Sequence, residues 1–394
     1  MMSTYDFATL INRSHQGSAK WEQMHRDCPD VGDNIVPFSV ADMEFRHPPK
    51  LINGLKQYTD SMIFGYTGPT DAYFESVENW MQLHHGFRPP REWFVEYPGV
   101  VPALRDIVAK LTAPNDSVLI LTPVYYPFRS SVRDNERGLV ESQLIERETT
   151  YDIDFADVEQ KLARPDVTMM ILCSPHNPVG RVWTEDELLR LSALCKEHHV
   201  LLVSDEIHSD LILPGYHHVS VATLTEYLDN CIICTAPSKT FNLAGLQTSN
   251  IFIPNESLRH RLLKHRGFFT LNAYGYKACE IAYNECGEWL EQLLHVIVRN
   301  YELVRNVLHT HLPQVKVFDL QGTYLQWLDF RSLGMSPKRL QEFMHSIGWF
   351  CDEGYIFGDG GHGFERLNLA CPTWVLEQAL GRLIEATHPQ EGSV

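Results

Sequence analysis

The chain alternates short, wholly apolar runs with stretches in which apolar residues recur every three or four positions. Short apolar runs bounded by turn residues read as strands buried on both faces. They occur in SVLILT, at the head of MMILCSPHNPVG (Met169–Gly180), at the head of VLLVSDEIHSD (Val200–Asp210), at Cys231–Thr235 and in SNIFIP. The helical period is clearest over Glu185–His198, with Leu188, Leu191 and Cys195 on one face. Thr184, with Glu187 three residues on, predicts a capping box at its start. Further helices are predicted over Pro49–Thr59, Ala72–His84, the stretch after Gly99, Asn284–Thr310, Pro337–Ile347 and Trp374–Ala386, with strands at Thr323–Phe330 and Glu365–Ala370. Residues up to about 45 read as an irregular arm, and the glycine-rich Gly354–Gly363 as mobile. Strand and helix in alternation predict an α/β fold with a mostly parallel sheet and helices on both faces.

Three of the strands end in polar residues. MMILC runs into a Pro/Asn/Gly turn with Asn177, VLLVS into Asp205 and Glu206, and CIICT into TAPSKTFNLAGL with Lys239. Ligands in open α/β sheets bind beyond the carboxyl ends of the strands, so an amide, a carboxylate and an amine meet on one rim. Lys239 stands among small and apolar neighbours, where loss of water disfavours its charged form and leaves a nucleophilic amine. A pyridine cofactor needs a carboxylate at its ring nitrogen, a donor at its phenolic oxygen and a lysine for its aldehyde.

In this order and spacing, SPHNPVG, SDEIH and SKTFNLAG resemble a pyridoxal-phosphate enzyme of the aminotransferase class I/II superfamily. FGYTGP (Phe64–Pro69), TPVYYPF (Thr122–Phe128), TYLQWLDFRSL (Thr323–Leu333) and FERLNLACP (Phe364–Pro372) are similar to the MalY/PatB branch of carbon–sulfur lyases, which includes cystathionine β-lyases. The resemblance runs from about Tyr5 to the C-terminal helix. It implies fold type I, with a large domain built on a seven-stranded, mostly parallel sheet and a smaller α+β domain. The expected division is 1–45 for the arm and part of the small domain, 46–290 for the large cofactor-binding domain, and 291–394 for the C-terminal small domain. It implies pyridoxal 5'-phosphate held by Lys239, Asp205, Asn177 and His208, with Tyr125 on the ring face. Val100 and Val101, after Gly99, and Ser238 would meet the phosphate; by the residues alone, Gly99 fits a simple strand-to-helix connection equally well. Tyr66 would reach the phosphate in a neighbouring subunit, which implies a homodimer with shared sites. Arg366, with Asn177, would bind the substrate carboxylate. An arginine inside an apolar strand needs some partner, and an internal acid would serve as well. Asp42 would stand near the substrate or in a simple turn, and Gly354–Gly363 would arch beside it. The implied reaction is α,β-elimination of cystathionine and related S-substituted L-cysteines to thiol, pyruvate and ammonia. An aminotransferase, or a regulator that keeps the fold, are the alternatives.

Composition narrows the partners. Acidic residues outnumber basic ones 50 to 33, for a net charge of −17, which argues against nucleic acid and anionic membranes. The 394 residues exceed one ordinary core, so two lobes are expected. Nine cysteines without a framework of spacings, and an N-terminus without a basic region before an apolar core, predict a cytoplasmic setting. Cys231 and Cys234 form a CxxC, but on a strand they point to opposite faces. The pairs His84–His85, His198–His199 and His217–His218 are expected on solvated faces or helix ends, and no metal site is expected. Two positions depart from common aminotransferases. Gln247 stands eight residues after the lysine where an arginine often meets the phosphate, and His208 stands where a tyrosine often follows the aspartate.

Overall fold

The computed structural model describes residues 5–32, 34–264, 266 and 270–387. Seven strands, β1 (Phe94–Tyr97), β2 (Ser117–Thr122), β3 (Gly138–Gln143), β4 (Val167–Cys173), β5 (Leu201–Asp205), β6 (Cys231–Thr235) and β7 (Ser249–Phe252), form one sheet in the order β1-β7-β6-β5-β4-β2-β3. β7 pairs antiparallel with both neighbours, and the other pairings are parallel. Every residue of β2, β5, β6 and β7 is buried, as their unbroken apolar runs require of strands covered on both faces. Cys231 and Cys234 belong to different apolar clusters on opposite sides of this sheet, so the CxxC is no thiol pair. A second, antiparallel sheet pairs β8 (Lys316–Val317), β9 (Leu325–Asp329), β11 (Phe364–Asn368) and β10 (Asp352–Glu353) in that order.

The helices that matter below are α1 (Ala19–Asp27), α2 (Pro49–Ser61), α3 (Asp71–His85), α4 (Val100–Leu111), α5 (Glu185–Glu197), α6 (Pro237–Thr240), α7 (Ala273–Glu285), α8 (Gly287–His311), α9 (Pro337–Ser346) and α10 (Thr373–Thr387). α5 starts with the capping box of Thr184 and Glu187 that its sequence predicts. Four expectations are corrected. The arm is not irregular throughout, because α1 buries Lys20, Trp21 and Met24 on one face. The long helical stretch begins at Gly287: Asn284 belongs to α7, and the break falls at Cys286, whose φ of −111° and ψ of 12° are not helical. The segment Gly354–Gly363 is wound into two short 3₁₀ turns with Phe357 wholly buried. A Cβ on Gly361 would lie 1.9 Å from the Gly354 carbonyl, so the glycines there serve close backbone packing rather than freedom. Two of the histidine pairs place one ring inside: His85 Nε2 meets Asp210 at 2.8 Å, and His218 Nε2 meets Glu206 at 3.3 Å.

The arm joins the second sheet by backbone. Phe38 N–H donates to Phe350, Glu44 N–H to Ala370, and Asn368 N–H to Phe38. These bonds hold residues 38–44 beside the carboxyl ends of the large sheet, where the site lies.

Candidate active site

A cavity of about 190 Å³ opens at the carboxyl ends of β4, β5 and β6. Its wall includes Gly99, Val100, Val101, Tyr125, Asn177, Asp205, His208, Ser238, Lys239 and Arg366. The three strand ends singled out by the polar residues after their apolar runs therefore converge, as the carboxyl-end rule predicts.

Lys239 stands on α6, a single turn with Pro237 in its first position. One side of the lysine faces the cavity and keeps some access to solvent; protein encloses the rest. Its Nζ donates to the Ala41 carbonyl at 2.9 Å, and no carboxylate lies within ion-pair distance of it among the described residues. Desolvation, with the nearby Arg366 charge, lowers its basicity from the ordinary 10.5 to about 8. Asp205 is buried at the end of β5, and its carboxylate accepts a bond from Ile207 N–H at 3.2 Å. Burial raises its pKa from the ordinary 3.8 to about 7, so a cationic partner would restore its charge.

Arg366 has the internal acid that one reading of a buried arginine requires, and it also lines the cavity. Its Nη1 donates to Asn177 Oδ1 at 2.7 Å, and its Nε and Nη2 both donate to Asp352 Oδ2, the Nε at 3.2 Å. The internal acid is thus present, on the strand β10 whose Asp352 lies opposite Arg366 in register. The guanidinium also packs on the Phe357 ring, 4.7 Å from its centroid. These contacts fix its orientation while its edge remains part of the cavity wall.

The aromatic and phosphate sides are also in place. Tyr125 is held by its N–H donating to the Asn177 carbonyl at 3.0 Å, and burial raises its phenol well above the ordinary value. Gly99 caps α4 with φ at 123°, a conformation that favours glycine, and Val100 and Val101 begin the helix. Free amide N–H groups and the helix dipole make this end a place for an anion. Among the described residues of the wall, Lys239 and Arg366 are the side-chain cations, which leaves helix amides and Ser238 to meet a phosphate. His208 is buried, its Nδ1 has no partner, and desolvation holds its pKa well below the usual range. A neutral ring with an unused nitrogen can face a phenolic oxygen.

Two predicted residues stand outside this wall. Asp42 turns its carboxylate to Arg13, 3.0 Å away, while its backbone carbonyl takes Lys20; only its neighbours Val40 and Ala41 line the cavity. Tyr66 is 94% exposed on the Gly65–Gly68 turn and does not enter the cavity of its own chain. Conversely, Asp352, Ala41, Cys173 and Tyr126 line or brace the site without having been singled out for it. Tyr126 and Cys173 lie inside the stretches TPVYYPF and MMILCSPHNPVG, but nothing in CDEGY marks Asp352 before the register of β10 on β11 is known.

Pyridoxal phosphate fits this set of groups on the structure's own terms. There is an amine of low basicity, a buried carboxylate lacking a cation, an unused imidazole nitrogen, an aromatic face and a glycine-capped helix end. Residues 33–383 match the family described as aminotransferase class I and II. Cystathionine beta-lyase PatB of Bacillus subtilis is 43% identical over 93% of this chain and 95% of its own length. Protein MalY of Escherichia coli is 28% identical over 97% and 98%. Among solved structures, cystalysin from Treponema denticola, which contains a pyridoxal 5'-phosphate cofactor, superposes with a TM-score of 0.96 at 46% identity, covering 98% of this chain and 99% of that one. The pyridoxal-phosphate-bound C–S lyase of Staphylococcus hominis gives 0.91 at 31%, covering 98% of each. On the extent of these matches and the convergence of the three strand ends, the chain belongs to the aminotransferase class I and II family.

Proposed function

We propose that this protein is a pyridoxal-phosphate-dependent carbon–sulfur lyase that cleaves cystathionine and related S-substituted L-cysteines. The reading rests above all on one observation: the Lys239 amine, lowered to about 8, faces the same cavity as a fixed Arg366 and a buried Asp205. When bound, the cofactor supplies an electron sink joined to the substrate's nitrogen. Lys239 would hold the cofactor at rest, Asp205 would keep its ring nitrogen protonated, and Tyr125 would cover one ring face. Val100, Val101 and Ser238 would take the phosphate, and His208 and Asn177 would face the phenolic oxygen. Arg366 and Asn177 would fix the substrate's α-carboxylate by charge-assisted bonds.

The steps then follow from what these groups can reach. The Cα proton moves to the free Lys239 nitrogen, which a basicity near 8 suits for work around neutrality. The Cβ–S bond breaks with its electron pair going to sulfur, which leaves as thiolate and picks up a proton. The three-carbon enamine left behind hydrolyses to pyruvate and ammonia. With cystathionine the thiol is homocysteine.

The protein is further proposed to act as a homodimer, with Tyr66 contributing to the neighbour's site. Ile63, Phe64 and Tyr66 are 89%, 74% and 94% exposed within one short turn. Such an apolar cluster calls for a cover, and a two-fold copy supplies one. The division at residues 45 and 290 belongs to this proposal. It is supported by the backbone bonds from Phe38 and Glu44 to the second sheet.

Incubation with cystathionine and pyridoxal phosphate, without any keto acid, tests the reaction. Thiol and pyruvate are expected to appear in equal amounts over many turnovers. A reaction that stops after one equivalent and resumes only on adding a keto acid would make the protein an aminotransferase.

A further inference from the structure

A second cavity, about 700 Å³, lies behind the first. It opens between α1, Ser39 and Val40 of the arm, and the region of α9, β10 and Tyr355. Val40, Tyr126 and Asp352 belong to the walls of both cavities, so the two meet at a common threshold. The threshold is held in an unusual conformation. Val40 has φ at 60°, rare and strained for a β-branched residue. Its N–H donates to Asp352 Oδ2 at 2.9 Å, and its carbonyl accepts from Asn368 Nδ2 at 2.7 Å. Asp352 thus fixes both Val40 and Arg366, linking the threshold to the substrate-carboxylate side of the site.

The sizes of the two spaces decide what goes where. The first cavity, at about 190 Å³, is below the ~300 Å³ at which small-molecule pockets usually begin. A bound cofactor and the amino-acid core of a substrate would fill it, so a group carried on the sulfur would have to pass the threshold. Beyond it the wall mixes apolar Met24, Phe350 and Cys351 with charges of both signs, the acids Glu22, Asp27 and Glu353 outnumbering Arg26. Glu22 and Arg26 lie four residues apart on α1, and so share a face. Across from them stand Gln341 and His345, four apart on α9, with Glu353 of β10. Glu353 is oriented by Gln341 Nε2 at 2.6 Å and His345 Nε2 at 3.5 Å. A plain alkyl or aryl group would strip water from these groups and return no hydrogen bonds, which is costly. A substituent ending in both an ammonium and a carboxylate matches the two signs.

We propose that the second cavity receives the group borne on the substrate's sulfur and selects groups that carry a second amino-acid end. This rests on the lyase reading above, but it can fail separately. The probe is 2,7-diaminosuberate, in which a methylene replaces the sulfur of cystathionine. Its dissociation constant from the cofactor-loaded protein is compared by calorimetry with that of 2-aminooctanoate, which has the same chain without the second amino-acid end. Two variants are used: Glu353→Gln, which removes one charge from the far wall, and Ala19→Trp, which fills the cavity from an exposed position on α1. The preference for diaminosuberate is expected to fall about tenfold in each. A fall of at least about threefold in both supports the assignment, and a smaller change in either overturns it. Thiol release from cystathionine by the unaltered protein is measured alongside. If it is absent while the binding preference responds, the lyase reading fails and the selective cavity stands.

Discussion

Two interior lysines end against the same few residues of the arm, and only one of them is set up for chemistry. Lys20, wholly buried on α1, donates to the Asp42 carbonyl at 2.6 Å and pairs with Glu44 at 2.7 Å. Lys239, on α6, donates to the Ala41 carbonyl at 2.9 Å and has no carboxylate within ion-pair distance among the described residues. Glu44 is itself held by Arg13 at 2.8 Å and by Trp21 Nε1 at 3.1 Å, so Lys20 completes a closed ionic cluster. Protein encloses Lys20 wholly and Lys239 on every side but the one that faces the cavity. What separates them is the counter-ion: a paired buried ammonium is a strut, while an unpaired one gives up its proton near neutrality.

The comparison can be broken most severely at Lys239. Lys239→Ala is expected to lower thiol release by about 10³-fold or more, because one residue serves both as cofactor anchor and as base. Circular dichroism and the unfolding midpoint should stay near those of the unaltered protein, since no buried ion pair is lost. Lys20→Met should do the reverse. Glu44 would keep Arg13 and Trp21 but lose its buried partner, at a cost of about 3 kcal/mol in stability by urea unfolding. Residual thiol release per folded molecule should change little.

Those two lysines also mark how far the sequence could be read. Strand ends were legible because apolar runs give way to turns that carry Asn177, Asp205 and Lys239, and the carboxyl-end rule then brings them together. Helix starts such as Thr184 were legible because caps are local chemistry. Lys20 was not, since a lysine in AKWEQMHRD differs in no local respect from an exposed one. Its burial depends on Glu44, which is far along the chain and reaches it only when the arm folds back. Asp352 is hidden for the same reason: it matters through its register opposite Arg366. His85 and His218 look like members of solvated histidine pairs until tertiary contacts bring Asp210 and Glu206 to them. The break at Cys286 escaped because the apolar period continues across it. Gly354–Gly363 reads as mobile only while its close backbone contacts are unknown.

A smaller effect sharpens the contrast further. In the cofactor-free protein, the rate at which an amine-acylating reagent labels Lys239 should rise with pH to a midpoint near 8. Ordinary exposed lysines titrate near 10.4. The same shift has a stability sign. Between pH 8 and 10.5 the unfolded chain holds a proton at this site that the folded one lacks, so this group's contribution to stability improves as pH rises through that window. A labelling midpoint above 10 would mean that water reaches the amine freely.

The most direct measurement is to load the protein with pyridoxal phosphate, reduce it with borohydride, digest it and locate the added pyridoxyl mass. The expected result is a single modified peptide, spanning Thr235–Leu246, with the mass on Lys239. Modification spread over surface lysines, or confined to any lysine other than Lys239, would contradict the central claim that this one unpaired amine organises the site.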